Sequence, residues 1–216
     1  AMFQSDDLVG IGMAANQMRK KKNDPRVATY QIDRNINYTN FCTEYCSFCA
    51  FYRPMGSKEG YVLPLETIFA KIDETIALGG TGVLMQGGLN TDLPMDYYEN
   101  LLRSIKARYP RFHLHCFSAP EILSIAEVAG LSVRDTIARL RDAGLEGVET
   151  LRPRSEPSES LALELAAREA GLLCTGGSDW HAAPPALGSW YVTERHVGEL
   201  LARLGVQPDT AATSRP

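Results

Sequence analysis

Leu65-Glu-Thr-Ile-Phe-Ala-Lys-Ile-Asp-Glu-Thr-Ile-Ala-Leu-Gly-Gly-Thr-Gly-Val-Leu-Met-Gln-Gly-Gly88 holds one whole structural unit. Leu65, Ile68, Ile72 and Ile76, with Phe69 alongside, recur at helical period, and Gly79-Gly80 can close that helix with a left-handed cap. Val83 to Met85 is a short apolar run of the buried-strand kind, and Gly87-Gly88 follows it at once. Helix, glycine cap, strand and glycine turn together are a building block of parallel βα proteins.

The same alternation extends in both directions. Upstream, Leu8, Ile11, Met13 and Met18 suggest a helix that Asn23-Asp24-Pro25 breaks, and Val27–Ile32 and Asn35–Phe41 read as extended. Downstream the pattern predicts a helix at about 95–107, a strand at 112–117, helices at 120–129 and 132–143, and a strand at 146–151. A helix at 157–170, a strand at 172–175, a short strand near 190–192 and a helix at 194–204 complete it, before a loose tail at 207–216. Arg141-Asp-Ala-Gly-Leu145 and Arg168-Glu-Ala-Gly-Leu172 each end a helix with a glycine and launch a strand. A doubly wound sheet and a β/α barrel both fit this order, but the dinucleotide fingerprint G-x-G-x-x-G does not occur at the first strand–helix turn. The expected class is α/β, a partial (β/α) TIM-like barrel of about six parallel strands.

Composition narrows the function. The chain has 216 residues, 44% hydrophobic and 22% charged, with a net charge of −4, which disfavours a nucleic-acid partner. The basic run Arg19 to Lys22 reads as a solvated helix end. No segment approaches the roughly 20 apolar residues of a membrane span, and the N-terminus lacks signal-peptide order, so a cytoplasmic protein acting on a small molecule is expected. All six Lys, all six Met and all seven Asn fall at or before residue 106, and no Ile follows Ile137, so two differently composed halves meet in one chain.

Five cysteines are present, three of them in Cys42-Thr-Glu-Tyr-Cys-Ser-Phe-Cys49. Disulfides between such close neighbours strain badly. A zinc site wants a fourth ligand and a second pair, whereas Cys116 and Cys174 stand alone in the sequence. Three thiolates are one short of the four that hold a typical iron–sulfur cube, which leaves one iron open to a chelating cofactor.

Cys-x3-Cys-x2-Cys with Phe48 before the last cysteine resembles the signature of the radical S-adenosylmethionine (SAM) enzymes. Asp33 to Asn40, Cys42 to Pro54, Gly60 to Leu63, Gly79 to Leu89, Asp92 to Tyr98 and His113 to Ser118 further resemble the cyclic dehypoxanthinyl futalosine synthase family of menaquinone biosynthesis. The similarity covers about residues 3–145, and Asn90-Thr91 departs from its expected His-Pro. The resemblance implies a [4Fe–4S] cluster on Cys42, Cys46 and Cys49 and S-adenosyl-L-methionine at Gly87 and Gly88, with Phe48 against the adenine. It implies a 5′-deoxyadenosyl radical that cyclises dehypoxanthine futalosine, and a one-electron donor such as flavodoxin or ferredoxin. Gln86, His115, Ser118 and Glu121 fall at or just beyond strand ends, where barrel active sites lie, and are the candidate catalytic residues. Of His113 and His115, only one is expected to face the barrel interior. Tyr52 and Arg53 either meet substrate or hold the cluster loop.

From Glu146 onward the synthase pattern is not followed. Ala170-Gly-Leu-Leu-Cys-Thr-Gly-Gly-Ser-Asp-Trp-His181 resembles the end of PHP-domain metal-dependent phosphoesterases, which implies a second, divalent-metal site on Asp179 and His181. Plain readings of that pair are a loop cap and a surface imidazole. Residues 1–145 are thus expected to form a radical SAM-like half barrel and 146–206 to supply PHP-like βα units that complete it. Glu149 would stand in for a lost acidic cofactor contact, and turnover would be impaired by the replaced second half. The alternatives are a phosphoesterase remnant and a catalytically inactive hybrid barrel.

Overall fold

The computed structural model describes residues 5–22, 24–27, 30–47, 49–151, 157–177, 190 and 192–205. Helix α1 (Leu8–Lys22) precedes β1 (Asp33–Asn37), and α2 (Leu65–Ala77) leads through Gly79, at φ 84°, into β2 (Gly82–Gln86). Then come α3 (Met95–Arg108), β3 (His113–Cys116), α4 (Ala119–Ala129) and α5 (Val133–Asp142). The chain closes with β4 (Gly147–Leu151), α6 (Pro157–Glu169), β5 (Leu173–Gly176) and α7 (Glu194–Arg203). The α/β class with parallel strands is as expected.

β1, β2 and β3 form one parallel sheet, with Asn35 opposite Leu84 and Leu84 opposite His115. Ile36, Val83 and Met85 turn to the helix side, where Ile68 and Ile72 of α2 and Leu101, Leu102 and Ile105 of α3 bury them. Burying each such side chain is worth about 1.5–3 kcal/mol. The periodicity seen in the sequence is the periodicity of this layer. β4 and β5 pair in a separate two-stranded parallel sheet around Ala167, Leu172 and Cys174. Leu145 touches both cores.

Of the about six parallel strands expected, the described residues hold five, in two sheets, and two successive helices, α4 and α5, separate β3 from β4. Some element bounds differ from the expectation. Trp190 and Val192 are not in a strand, and Tyr191 lies outside the described residues. Val27 is not extended in a sheet: Val27 N–H donates to Asp24 O (3.1 Å) and the Asp24 carboxylate holds Arg26, so Asp24-Pro25 makes a turn, and regular pairing starts at Asp33. β1 also ends at Asn37 rather than Phe41. Thr39 and Phe41 make single bridges to Val62 and Arg53 instead. The tail at 207–216 lies outside the described residues, and among those described no helix is long and apolar enough to cross a membrane.

Candidate active site

The cysteine loop leaves the end of β1 and is framed by the segment 50–63. Arg53 N–H donates to Asn40 O (2.7 Å), and Cys42 N–H donates to Arg53 O (3.0 Å). The Asn40 side chain takes Tyr61 N–H (2.7 Å) and gives a bond to Glu59 O (3.2 Å). Arg53 pairs its guanidinium with Glu59 (2.7 Å), and Tyr52 stacks edge-on with Tyr45. Both residues therefore hold the loop. Cys42 is buried, Cys49 half-buried and Cys46 exposed, and all three are free thiols. Phe48 lies outside the described residues.

Gly87 and Gly88 leave the end of β2 into space too tight for a side chain. A Cβ on Gly87 would lie 2.5 Å from the Tyr38 ring, and one on Gly88 only 2.2 Å from Phe41 O and 2.8 Å from Cys42 Cβ. Three successive N–H groups turn inward: Gly87 to Glu121 Oε1 (2.8 Å), Gly88 to Thr39 O (3.0 Å), and Leu89 to Cys42 Sγ (3.3 Å). Backbone that spends its donors inward has carbonyl oxygens to offer outward. Asn90, where the family pattern departs, is buried; its Nδ2 donates to Thr39 Oγ1 (3.1 Å) and its Oδ1 accepts Asp92 N–H (3.0 Å).

Glu121 lies at the start of α4, buried, and both of its oxygens are in use. Oε1 accepts Gly87 N–H and the Tyr38 hydroxyl (2.6 Å), and Oε2 accepts the backbone N–H (2.7 Å) and hydroxyl (2.8 Å) of Ser118. Ser118 is the N-cap of α4 in a reciprocal capping box with Glu121. Phe117, just before it, sits at φ 58°, a conformation uncommon for a bulky residue. Its ring packs edge-on against Tyr38 and Tyr98. Burial pushes the Tyr97 phenol up to about 12, and its hydroxyl is the one buried side-chain polar atom among the described residues without a hydrogen-bond partner. Cys116 is held as a neutral thiol: burial first, then the nearby Glu121 carboxylate, pushes it up to about 12.

The candidate catalytic residues divide into two groups. Ser118 and Glu121 join the glycine turn, whereas Gln86 and His115 stand on the sheet face opposite the helices. On that face Asn35 and Asn37 neighbour them, Asn37 Nδ2 donating to Gln86 O (3.2 Å). His113 and His115 share this face, exposed, with ring centroids 6.5 Å apart. The expectation that only one of them faces inward fails because residues two apart on a strand point the same way. Sequence reading missed Asn35 and Asn37, although their alternation with buried Ile36 and Tyr38 was the signal. It also missed Tyr38, whose ring and hydroxyl support the turn. Glu149 stands on the second sheet, its carboxylate against Gly177. Asp179 and His181 lie outside the described residues.

Three free thiols within eight residues, with two amides (Glu44 and Leu89) aimed at Cys42 Sγ, are a donor set that suits an iron–sulfur cluster. Among the described residues no three His, Cys, Asp or Glu side chains are already gathered around a metal position. The sequence model of the Radical SAM superfamily matches residues 36–151, more than half of the chain. The chain belongs to the radical SAM superfamily. A cyclic dehypoxanthine futalosine synthase from Halalkalibacterium halodurans is 51% identical over 147 residues, covering 68% of this chain and 40% of that protein. One from Streptomyces coelicolor is 37% identical over 163 residues, covering 71% and 41%. The 5-amino-6-(D-ribitylamino)uracil–L-tyrosine 4-hydroxyphenyl transferase of Thermosynechococcus vestitus is 41% identical over 146 residues, covering 65% and 37%. This radical SAM chain spans about two fifths of the length of these relatives.

Proposed function

We propose that the chain binds a [4Fe–4S] cluster through Cys42, Cys46 and Cys49 and acts in the cyclisation of dehypoxanthine futalosine. The observation that carries this reading is the 51% identity to a cyclic dehypoxanthine futalosine synthase, with the cysteine loop locked against the glycine turn through Gly88. When bound, the cluster and S-adenosylmethionine supply one-electron cleavage and hydrogen abstraction. The chain supplies position. The outward carbonyls at 87–88 suit a cationic amino group. Gln86 and His115, with Asn35 and Asn37 beside them, offer donors and acceptors to the sugar hydroxyls of a substrate above the sheet. Ser118 and Glu121 hold the turn. A small one-electron donor protein of the flavodoxin or ferredoxin class meets the exposed edge at Cys46. The metal pair proposed on Asp179 and His181 takes no part in this reading.

A second reading, aryl transfer from tyrosine to a ribitylaminouracil, is favoured by the 41% identity to the Thermosynechococcus transferase. One experiment separates the two. The protein is reconstituted anaerobically with iron and sulfide, reduced, and given either dehypoxanthine futalosine or tyrosine with the ribitylaminouracil. Release of 5′-deoxyadenosine stimulated by the first substrate is expected. Failure to take up a cluster, or stimulation by the second pair alone, overturns the proposal.

A further inference from the structure

Glu121 is 3% exposed and makes contacts that no helix cap requires. A capping box needs one carboxylate oxygen to reach back to the N-cap, and Oε2 does this by accepting both the N–H and the hydroxyl of Ser118. Oε1 serves another element altogether. It accepts the amide of Gly87, 34 residues earlier on the turn after β2, at 2.8 Å, and the hydroxyl of Tyr38, 83 residues earlier beyond β1, at 2.6 Å. The Gly87 backbone is thereby pinned on two sides, by the carboxylate at its N–H and by the Tyr38 ring where a side chain would stand. The Gln86–Gly87 peptide is thus held at both ends, its N–H on Glu121 and its carbonyl on Asn37 Nδ2, and Gly88 N–H on Thr39 O fixes the next peptide plane, whose carbonyl is that of Gly87.

We infer that Glu121 is a positioning residue for the cofactor turn: by holding the Gln86–Gly87 peptide it sets how Gly87 enters the turn, and so the place of the Gly87 carbonyl that receives the amino group of S-adenosylmethionine. The inference rests on the proposed cofactor reading of Gly87 and Gly88. Tyr38 shares the task by fixing the same carboxylate oxygen. Phe117 brings α4 to the turn by accepting a left-handed backbone, its ring held by Tyr38 and Tyr98. Glutamine at 121 keeps the size of the side chain but can accept at only one of its two ends, so either the cap or the turn loses its partner.

The test compares Glu121→Gln with Ser132→Ala in the full chain. Ser132 caps α5, accepting Asp135 N–H at 3.1 Å, and no turn contact depends on it, so its loss reports capping alone. Two readouts are taken: amide exchange at Gly87 in the cluster-free protein, and equilibrium binding of S-adenosylmethionine to the reconstituted protein. For Glu121→Gln, exchange at Gly87 is expected to rise and cofactor affinity to fall, each about tenfold, the scale of one hydrogen bond to a charged group. Ser132→Ala is expected to lower the melting temperature while leaving both within about twofold. If Glu121→Gln frees the Gly87 amide without weakening the cofactor, or weakens it only in proportion to lost stability as Ser132→Ala does, the inference is overturned. Should Glu121→Gln fail to fold, Tyr38→Phe removes a donor from the same oxygen, and a loss of affinity of about threefold is expected; no loss overturns the inference. A Cys42→Ala control separates this from the underlying reading: if it still binds S-adenosylmethionine as the parent does, the cofactor assignment fails and the positioning role fails with it.

Discussion

The two sheets of this chain are held in very different ways. Around β1–β3 sixteen buried hydrophobic residues form one core, whereas the hydrophobic core around β4–β5 has only Ala167, Leu172 and Cys174 buried among the described residues. α6 leaves Leu161, Leu163 and Leu165 substantially exposed, and a cavity of about 380 Å³ lies between α5, β4 and α6, lined by Ile137, Arg141, Val148 and Leu163. The rear sheet is tied to the front by Leu145 and by polar contacts: Lys106 on Glu146, and Arg141 donating to Ala170 O (3.2 Å). Every described contact of the cysteine loop and the glycine turn lies in the front. The difference teaches that the machinery and its support are local, and that the second sheet is a weaker companion.

The most forceful way to break this comparison is from the front core. Ile72→Ala, at a site with no exposure, is expected to cost about 2–5 kcal/mol and to lower the urea midpoint of the whole chain. Leu172→Ala in the rear is expected to cost nearer to 2 kcal/mol, because its thin surroundings can collapse into the gap. It should release the amides of β4 and β5 to exchange while those of β2 stay protected; loss of both sheets together would show one cooperative unit. Alkali sharpens the contrast more gently. Cys116 in the front stays neutral to about 12 when folded, against an ordinary 9.0, so the unfolded chain ionises first. Stability then falls between pH about 9 and about 12, by up to about 1.4 kcal/mol per pH unit, and Cys116→Ser should flatten that fall. The smallest effect is expected at the seam. Glu146 is held below the usual carboxylate range, chiefly by its hydrogen bond to Lys106, so its contribution is present at neutral pH and is lost as pH falls through that range. Half-exposed as it is, Glu146→Gln should change stability by less than about 1 kcal/mol, and less still at high salt.

Local rules carried much of this structure. The helical period of α2 and α3, the glycine caps at Gly79, Gly144 and Gly171 with positive φ, and the apolar strand at Val83–Met85 all stand where short-range patterns place them. Ser118-Ala-Pro-Glu121 carries a capping box that four residues suffice to show. What four residues do not show is that the same carboxylate also meets Gly87 and Tyr38, because no local pattern links positions 34 and 83 apart. The break between β3 and β4 was equally hidden: each strand is well formed on its own terms, and pairing depends on how two consecutive helices turn the chain. Edge effects misled as well, since Val27 and its neighbours have strand-like composition yet Asp24-Pro25 captures the chain in a turn.

Gly88 has a mechanical consequence. With no clearance between its backbone and that of Phe41, the loop after β2 and the cysteine loop cannot slide past each other; thermal breathing of the sheet moves them as one body. A reagent carried on one is thus kept in step with a reagent carried on the other, without any covalent tie between them. A single methyl group at residue 88 would act as a wedge, and its push would arrive first at the Phe41 carbonyl and next at Cys42.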